Sequence, residues 1–116
     1  MVSRDQWTIH WSREVEEWYS GLDIKDRARA DRVLELLADE GPMLGMPHSR
    51  RLGEGLRELR FTCEGVARRI TYTLEPEHQV ITLTSFRKQR QNETREITRA
   101  RNALKKHRDR QEGTSP

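Results

Sequence analysis

Apolar residues in the first third of the chain recur at helical spacing. One stripe follows the i, i+3, i+4, i+7 pattern of an amphipathic helix, between the capping residue Asp23 and the helix breakers Gly41 and Pro42. Its members are Ala30, Val33, Leu34 and Leu37. The preceding segment "REVEEWYSGL" predicts a shorter helix, with Ser12 as its cap and Gly21 at its end. The two segments together predict a helical hairpin.

The second half of the chain alternates between apolar and polar residues, which is typical of β-strands. The runs "LRELRFTC", "VARRITYTL" and "VITLTSF" are separated by segments short enough for hairpins, so the three strands should pair antiparallel. The alternation in "QWTIHWS" near the N-terminus predicts a fourth strand. The glycine-rich "MLGMPHSRRLGEG" predicts a loop, and residues 92–107 predict a helix with a narrow apolar stripe.

The predicted fold is therefore α+β. An N-terminal strand and a helical hairpin should pack on an antiparallel sheet of about four strands, followed by a basic C-terminal helix. The length of 116 residues fits one domain, which we place at residues 1–110, with residues 111–116 as a disordered tail. Cys63 is the only cysteine, which excludes an internal disulfide and a zinc site built on paired cysteines. Without an apolar stretch long enough for a signal peptide or a membrane span, we expect a cytoplasmic protein with no membrane role.

Sorting each strand by alternate residues predicts one core face and one polar, partly cationic face. The core face should hold Leu59, Phe61, Cys63, Ile70, Tyr72, Leu74, Ile81 and Leu83. The polar face should hold Glu58, Arg60, Thr62, Arg69, Thr71, Thr73, Thr82, Thr84 and Phe86. Threonine suits a solvent-facing strand, and arginine stems cover apolar surface, so a face without any ligand explains most of these residues. It explains less well why Arg60 and Arg69 share a face, because planar guanidinium groups are suited to phosphate.

Charge is distributed unevenly along a chain whose net charge is only +3. Residues 1–47 contain six basic and ten acidic residues, whereas residues 87–110 contain ten basic and three acidic ones. A local excess of this size attracts phosphates or an acidic protein, although a solvated charged helix would have the same composition. Phe86 and Lys88 add an aromatic ring and a cation where the last strand ends, which indicates a surface for single-stranded RNA.

The four histidines show no spacing typical of metal ligands, so we predict no metal site. His48 follows Pro47 in the loop that leads into the cationic strand, which makes it the candidate for proton transfer. Neither a glycine-rich phosphate loop nor a serine nucleophile elbow occurs. The sequence gives no support for ordinary hydrolase chemistry.

The order of these segments resembles the RelE/ParE toxin superfamily, in its HigB-like branch, which is also called the phage Gp49-like proteins. The resemblance extends from about residue 7 to residue 107 and is carried by "GPMLGMPHSRRLGEGLRELRF", "ARRITYTL", "ITLTSFRKQR" and "NETREITRARNAL". It implies a toxin of a type II toxin–antitoxin system, neutralised by a cognate antitoxin that we expect to be of helix-turn-helix type. RelE-like members are ribosome-dependent endoribonucleases, or mRNA interferases, so the resemblance also implies the ribosome and mRNA as partners.

Carried over by position, the resemblance implies catalytic roles for Arg60, Arg69, His48 and Lys88, with no metal or organic cofactor. It implies RNA-binding roles for Arg50, Arg51, Arg57, Phe86, Arg87 and Arg90. The arginines would stabilise negative charge while the 2′-hydroxyl attacks the adjacent phosphate. Many RelE-like toxins use a tyrosine or histidine near the C-terminus for proton transfer, whereas Tyr72, the only tyrosine after Tyr19, sorts to the core face here. A ParE-like gyrase inhibitor without enzymatic activity and a degenerate basic nucleic-acid-binding module therefore stay open as alternatives.

Overall fold

The computed structural model describes residues 6–113. Its elements are β1 (Thr8–His10), α1 (Arg13–Ser20), α2 (Ile24–Glu40), a 3-10 turn (Gly41–Met43), β2 (Ser49–Gly53), β3 (Leu56–Cys63), β4 (Val66–Glu75), β5 (Gln79–Arg87) and α3 (Glu93–Gly113). Within this part of the chain the five strands form one sheet in the order β1-β5-β4-β3-β2. The α+β class is confirmed. None of the described helices is long and apolar enough to cross a membrane.

The expectation of about four antiparallel strands is wrong in two respects. Residues 49–53 belong to the segment predicted as a loop, but they form β2, which pairs antiparallel with β3. The connecting residues Glu54 and Gly55 both have positive φ angles, of 54° and 87°, and this conformation reverses the chain within two residues. In addition, β1 pairs parallel with β5, so the sheet is mixed.

Helices α1 and α2 pack on one face of the sheet and form the larger core with it. The buried residues of this core are Val15, Val33, Leu34, Leu37, Leu44, Leu59, Ile70, Tyr72 and Val80. Both predicted helix starts are confirmed, because Ser12 Oγ accepts a hydrogen bond from Val15 N at 3.2 Å and the Asp23 carboxylate accepts one from Asp26 N at 2.8 Å. The predicted apolar stripe of α2 therefore lies against the sheet.

Helix α3 covers part of the opposite face, which the sequence predicted to be polar and partly cationic. A second core forms there from Leu56, Leu83, Ala100 and Leu104. The threonines beside it are buried because their hydroxyl groups find partners: Thr71 and Thr84 share a hydrogen bond of 2.5 Å, and Thr73 donates to the Gly55 carbonyl at 2.8 Å. The expectation of a solvent-facing threonine face is therefore wrong.

A β-bulge in β5 changes which of its residues face which helices. Ile70 and Tyr72 of β4 lie opposite Ser85 and Thr82 of β5, so three steps along β5 match two steps along β4. Leu83, like Ile81, consequently packs beneath α3 and not against α1 and α2, where simple alternation placed both residues. Thr82 lies toward α1, where its hydroxyl accepts from Ser12 N at 2.9 Å.

Helix α3 extends to Gly113, so residues 111–113 are helical and not part of a disordered tail as expected. Residues 114–116 of the predicted tail lie outside the described residues. The C-terminal part of α3 has polar contacts with the end of β4, because His107 pairs with Glu75 at 2.8 Å and Gln111 donates to the same carboxylate at 3.0 Å. Arg101 also donates to the Leu52 carbonyl at 2.6 Å. Polar contacts thus support a helix whose apolar stripe is narrow.

Candidate functional site

Arginines from three neighbouring strands meet on the face that α3 partly covers. Arg60 of β3 lies directly opposite Arg69 of β4, which confirms that the two share a face. Arg50 of β2 lies opposite Glu58, two residues before Arg60 on the same strand. Residues opposite each other in a ladder, or two apart along a strand, point to the same side of the sheet. We call Arg50, Arg60 and Arg69, together with Glu58, the arginine cluster.

Glu58 lies at the centre of the arginine cluster and is only 1% exposed. Its Oε1 atom lies 3.5 Å from Arg69 Nε and 3.8 Å from Arg60 Nε. Burial raises the pKa of the Glu58 carboxyl above its ordinary value, and the two guanidinium groups offset part of that effect. The charged form of Glu58 therefore depends on the arginines beside it.

Arg69 is a buried residue of the sheet, at 7% exposure, and not an open surface cation. Burial lowers the pKa of its guanidinium group, and the neighbouring charge of Arg60 lowers it further. Nη1 of Arg69 donates to the carbonyl of Arg68 at 3.1 Å. Two of its nitrogens thus face protein oxygens, one toward the Glu58 carboxylate and one toward this carbonyl.

Arg60 is the more accessible of the two opposed arginines. Its side chain is 21% exposed, against 9% for Arg69. Nη1 of Arg60 donates to the sulfur of Met46 at 3.5 Å, a weak acceptor, while Nε is buried without a hydrogen-bond partner among the described residues. Since Nε faces the Glu58 carboxylate, the donors available to a phosphate oxygen are those at the Nη end of the guanidinium group.

Arg50 and the predicted cations at the end of β5 are exposed, and Arg87, opposite Arg68, lies on the other side of the sheet from Arg69. Arg50 forms an ion pair with Glu93, the first residue of α3, at 3.4 Å. Arg87, Lys88 and Arg90 are exposed. The amide group of Asn92 fixes the loop that carries them, because its nitrogen donates to the Arg87 carbonyl at 2.9 Å. The expected cationic segment after the last strand is therefore solvent-accessible and ordered by a local hydrogen bond.

Three of the predicted RNA-binding residues do not join the open part of this face. Arg51 and Arg57 oppose each other on the other side of the β2–β3 hairpin, and Arg57 donates to the Pro42 carbonyl at 3.4 Å. Phe86 lies opposite Arg69 but is only 6% exposed, so its ring packs within the protein and is not free to stack on a base. This burial argues against the expected stacking role of Phe86, because the register of β5 places the ring under cover.

His48 is exposed and borders a different space. Its side chain lines a groove of about 670 Å³ between α2 and the end of β3, together with Arg60 and Phe61. Its carbonyl accepts a hydrogen bond from Arg60 N at 2.8 Å, which ties the loop to the strand. His48 is therefore next to Arg60 along the sheet edge, and among the described residues its side chain makes no hydrogen bond or ion pair with the arginine cluster.

Tyr72 is fully buried, as its place in the strand pattern predicts. Its hydroxyl shares a hydrogen bond of 2.5 Å with Ser49 Oγ beneath β2. This tyrosine is therefore not available to transfer a proton to a ligand on the sheet. Within residues 6–113 no group of three or more His, Cys, Asp or Glu side chains is placed to hold a metal ion.

Glu58 and Glu93 belong to the electrostatics of the site, although sequence reasoning did not select either as a functional residue. The strand pattern contained a signal for Glu58, since it precedes Arg60 by two positions and must share its face. No signal identified Glu93, because its approach to Arg50 depends on where α3 begins relative to β2. Long-range placement of this kind is not encoded in local periodicity.

Fold and site together define a class of small α+β proteins in which a sheet carries clustered arginines beside a basic C-terminal helix. The family model of the phage-derived protein Gp49-like family matches residues 17–105, which extend from α1 into α3. The chain belongs to this family, which is part of the RelE/HigB toxin-like superfamily. Gp49-like proteins are commonly toxins of toxin–antitoxin systems, and such a toxin has an antitoxin as its partner. A search of the curated proteins gives no match.

Proposed function

We propose that this protein is the toxin of a type II system and acts as a ribosome-dependent endoribonuclease on translated mRNA. The observation that carries the proposal is the pairing of Arg60 with Arg69 on adjacent strands, with Arg60 the more exposed of the two. Two guanidinium groups on one face can bind the non-bridging oxygens of a single phosphate. The exposed cations after β5 extend the positive surface available to an RNA strand.

The reaction we propose is attack of the RNA 2′-hydroxyl on the adjacent phosphate. The bond from phosphorus to the 5′-oxygen breaks, leaving a cyclic phosphate on one fragment and a 5′-hydroxyl on the other. Arg60 and Arg69 stabilise the negative charge that accumulates on phosphorus-bound oxygens in the transition state. We assign proton transfer from the 2′-hydroxyl to His48 and protonation of the leaving oxygen to Lys88. Both groups are exposed, next to β3 and β5 respectively.

The proposal includes the ribosome as the partner that orients the message, and an antitoxin of helix-turn-helix type as the partner that neutralises the toxin. Both partners place the reaction in the cytoplasm. An antitoxin rich in acidic residues would be attracted to the arginine cluster or to α3, where positive charge is densest. In this proposal, binding there stops cleavage by covering Arg60.

Primer extension on cellular transcripts after induction tests this function directly. We expect discrete cuts within translated regions, absent when the antitoxin is expressed together with the toxin. The matched control is an Arg60→Ala variant expressed to the same level, which should leave transcripts intact. Intact transcripts accompanied by DNA damage signalling would instead support a ParE-like gyrase inhibitor, and would overturn the proposed nuclease.

A further inference from the structure

A buried carboxylate lies between the two arginines that the proposed reaction uses. Charged groups approach Glu58 from four elements: Arg50 on β2, Arg60 on β3, Arg69 on β4 and Glu93 on α3. Because Glu58 is 1% exposed, an RNA strand on the surface cannot reach its carboxylate. Glu58 can therefore affect a ligand only through the arginines that it contacts.

The contacts of Glu58 divide each guanidinium group into an inner and an outer part. Its Oε1 atom faces Nε of Arg69 and Nε of Arg60, at 3.5 and 3.8 Å, so both contacts are ion pairs and not hydrogen bonds. The Nη1 atoms donate to the Arg68 carbonyl and to Met46 sulfur. Within the described part of the chain, neither Nη2 atom makes a hydrogen bond to protein. Since a guanidinium group is planar and rigid, fixing its Nε edge also fixes the direction of its remaining donors.

We infer that Glu58 is a positioning residue: it holds the Nε edges of Arg60 and Arg69 so that their Nη2 donors stay available to one phosphate. The catalytic consequence rests on the proposed function, whereas the arrangement of the side chains does not. Glu58 also removes one positive charge from a group of three arginines. A site that needed only positive charge would function better without a carboxylate at its centre.

Replacement of Glu58 by glutamine separates orientation from charge. Glu58→Gln keeps the size of the side chain and increases the net charge of the arginine cluster by one. Orientation by Glu58 predicts a fall in kcat of roughly 10-fold to 100-fold, because a small misplacement of a catalytic group has effects of this size. The affinity for RNA should be unchanged or higher, because the added positive charge favours phosphate. If the arginines acted only by attracting the RNA phosphate, the Glu58→Gln variant should instead cleave RNA faster than the unaltered protein.

The pH dependence of cleavage gives a second readout. Protonation of Glu58 would remove its hold on the arginines, and its raised pKa brings this event closer to neutral pH than for an exposed glutamate. Cleavage by the unaltered protein should fall as the pH decreases through that pKa. The Glu58→Gln variant should lack this acidic limb. A variant that was merely destabilised would keep the acidic limb.

The experiment measures single-turnover cleavage of a defined message on programmed ribosomes, and binding of the same message with a 2′-O-methyl group at the cut site. Glu64→Gln is the matched control. Glu64 forms an ion pair with Arg68, at 3.1 Å, and neither residue belongs to the arginine cluster. We expect the Glu58→Gln variant to bind the message at least as tightly as the unaltered protein but to cleave it slowly. The Glu64→Gln variant should bind and cleave the message like the unaltered protein. A folded Glu58→Gln variant that cuts at the native rate would overturn the inference.

A measurement on the unaltered protein keeps the inference testable if Glu58→Gln does not fold or if no RNA is cut. Nuclear magnetic resonance detects the Nε protons of arginines, with Arg60→Lys and Arg69→Lys used for assignment. We expect the Nε protons of Arg60 and Arg69 to exchange slowly with water and to shift on acidification. Arg32, which is exposed on α2 and makes no hydrogen bond among the described residues, provides the fast-exchanging reference. Exchange of all three at the same fast rate would refute the positioning role, whatever reaction the protein performs.

Discussion

Two networks of arginine and glutamate connect the sheet to its surroundings, and they are built in opposite ways. Near the start of α1, Arg99 lies between two carboxylates: Nη1 donates to Glu14 at 2.5 Å, and Nε and Nη2 donate to Glu96 at 3.2 and 3.1 Å. Nη2 also donates to the Ser85 carbonyl at 3.4 Å. In the arginine cluster, one carboxylate is shared by several arginines, and Arg60 Nε has no hydrogen-bond partner in the described part of the chain.

The difference teaches which network is structural and which can bind a ligand. The pKa of Arg99 is raised because its hydrogen bonds to two glutamates stabilise the charged form, whereas burial lowers the pKa of Arg69. The Glu14 carboxylate also accepts from Ser85 N at 2.7 Å, on the edge of β5 that β1 leaves open. The Arg99 network is thus saturated by the protein itself, whereas the arginine cluster has an excess of donors and of positive charge.

The largest effect should follow from removing the buried member of the arginine cluster. Arg69→Ala leaves the Glu58 carboxylate buried without its nearest cation, a change that costs about 3 to 5 kcal/mol of folding stability. Urea denaturation measures the loss. Replacing both residues together, by Glu58→Gln with Arg69→Met, should restore part of the stability, because no buried carboxylate charge then remains without its cation. If Arg69→Ala were as stable as the unaltered protein, the buried pair would not contribute as described.

A smaller effect on stability is expected in the saturated network. Arg99→Ala removes hydrogen bonds that join α3 to α1 and β5, and should cost about 1 to 2 kcal/mol, because the side chain is 41% exposed and solvent screens its charge. The cleavage rate of the folded fraction should not change. Thermal denaturation and ribosome-programmed cleavage, measured on the same preparation, check both statements. A selective loss of cleavage would mean that Arg99 also acts in the site.

The smallest effect should be that of Phe86→Leu on RNA binding. Because the Phe86 ring is 6% exposed, a leucine of similar volume should cost less than about 1.5 kcal/mol of stability and leave the affinity for RNA unchanged. Fluorescence anisotropy with a labelled oligonucleotide measures that affinity. A base that stacked on this ring would instead lose about 1 to 3 kcal/mol of binding free energy on replacement.

Local signals in the sequence predicted the helices and the alignment of the arginines correctly. Ser12 and Asp23 cap α1 and α2 as expected, because capping depends on residues within one turn. The shared face of Arg60 and Arg69 followed from alternation along two regular strands joined by a short turn. Where the strands are regular, alternation with a period of two residues is sufficient to predict which side chains share a face.

The errors arose where one element depends on a distant one. The bulge in β5 moved Leu83 beneath α3, and no local pattern in that strand indicates the extra residue. Burial of Thr71 and Thr84 depends on their mutual hydrogen bond across two strands, so their polarity misled the assignment of the exposed face. The second strand, with Arg50 and Arg51 in its centre, resembled a loop until β3 paired with it. These features exist only in the assembled sheet.

The most direct test of the central claim compares two arginines of equal charge. Ribosome-programmed cleavage of one message is measured for the unaltered protein, for Arg60→Ala and for Arg13→Ala, whose side chain is 92% exposed on α1. We predict that Arg60→Ala loses roughly 100-fold or more in cleavage rate, because each oxyanion donor contributes on that scale, while its melting temperature changes little. Arg13→Ala should cut at the native rate. Equal rates for both variants would contradict the assignment of RNA cleavage to the arginine cluster.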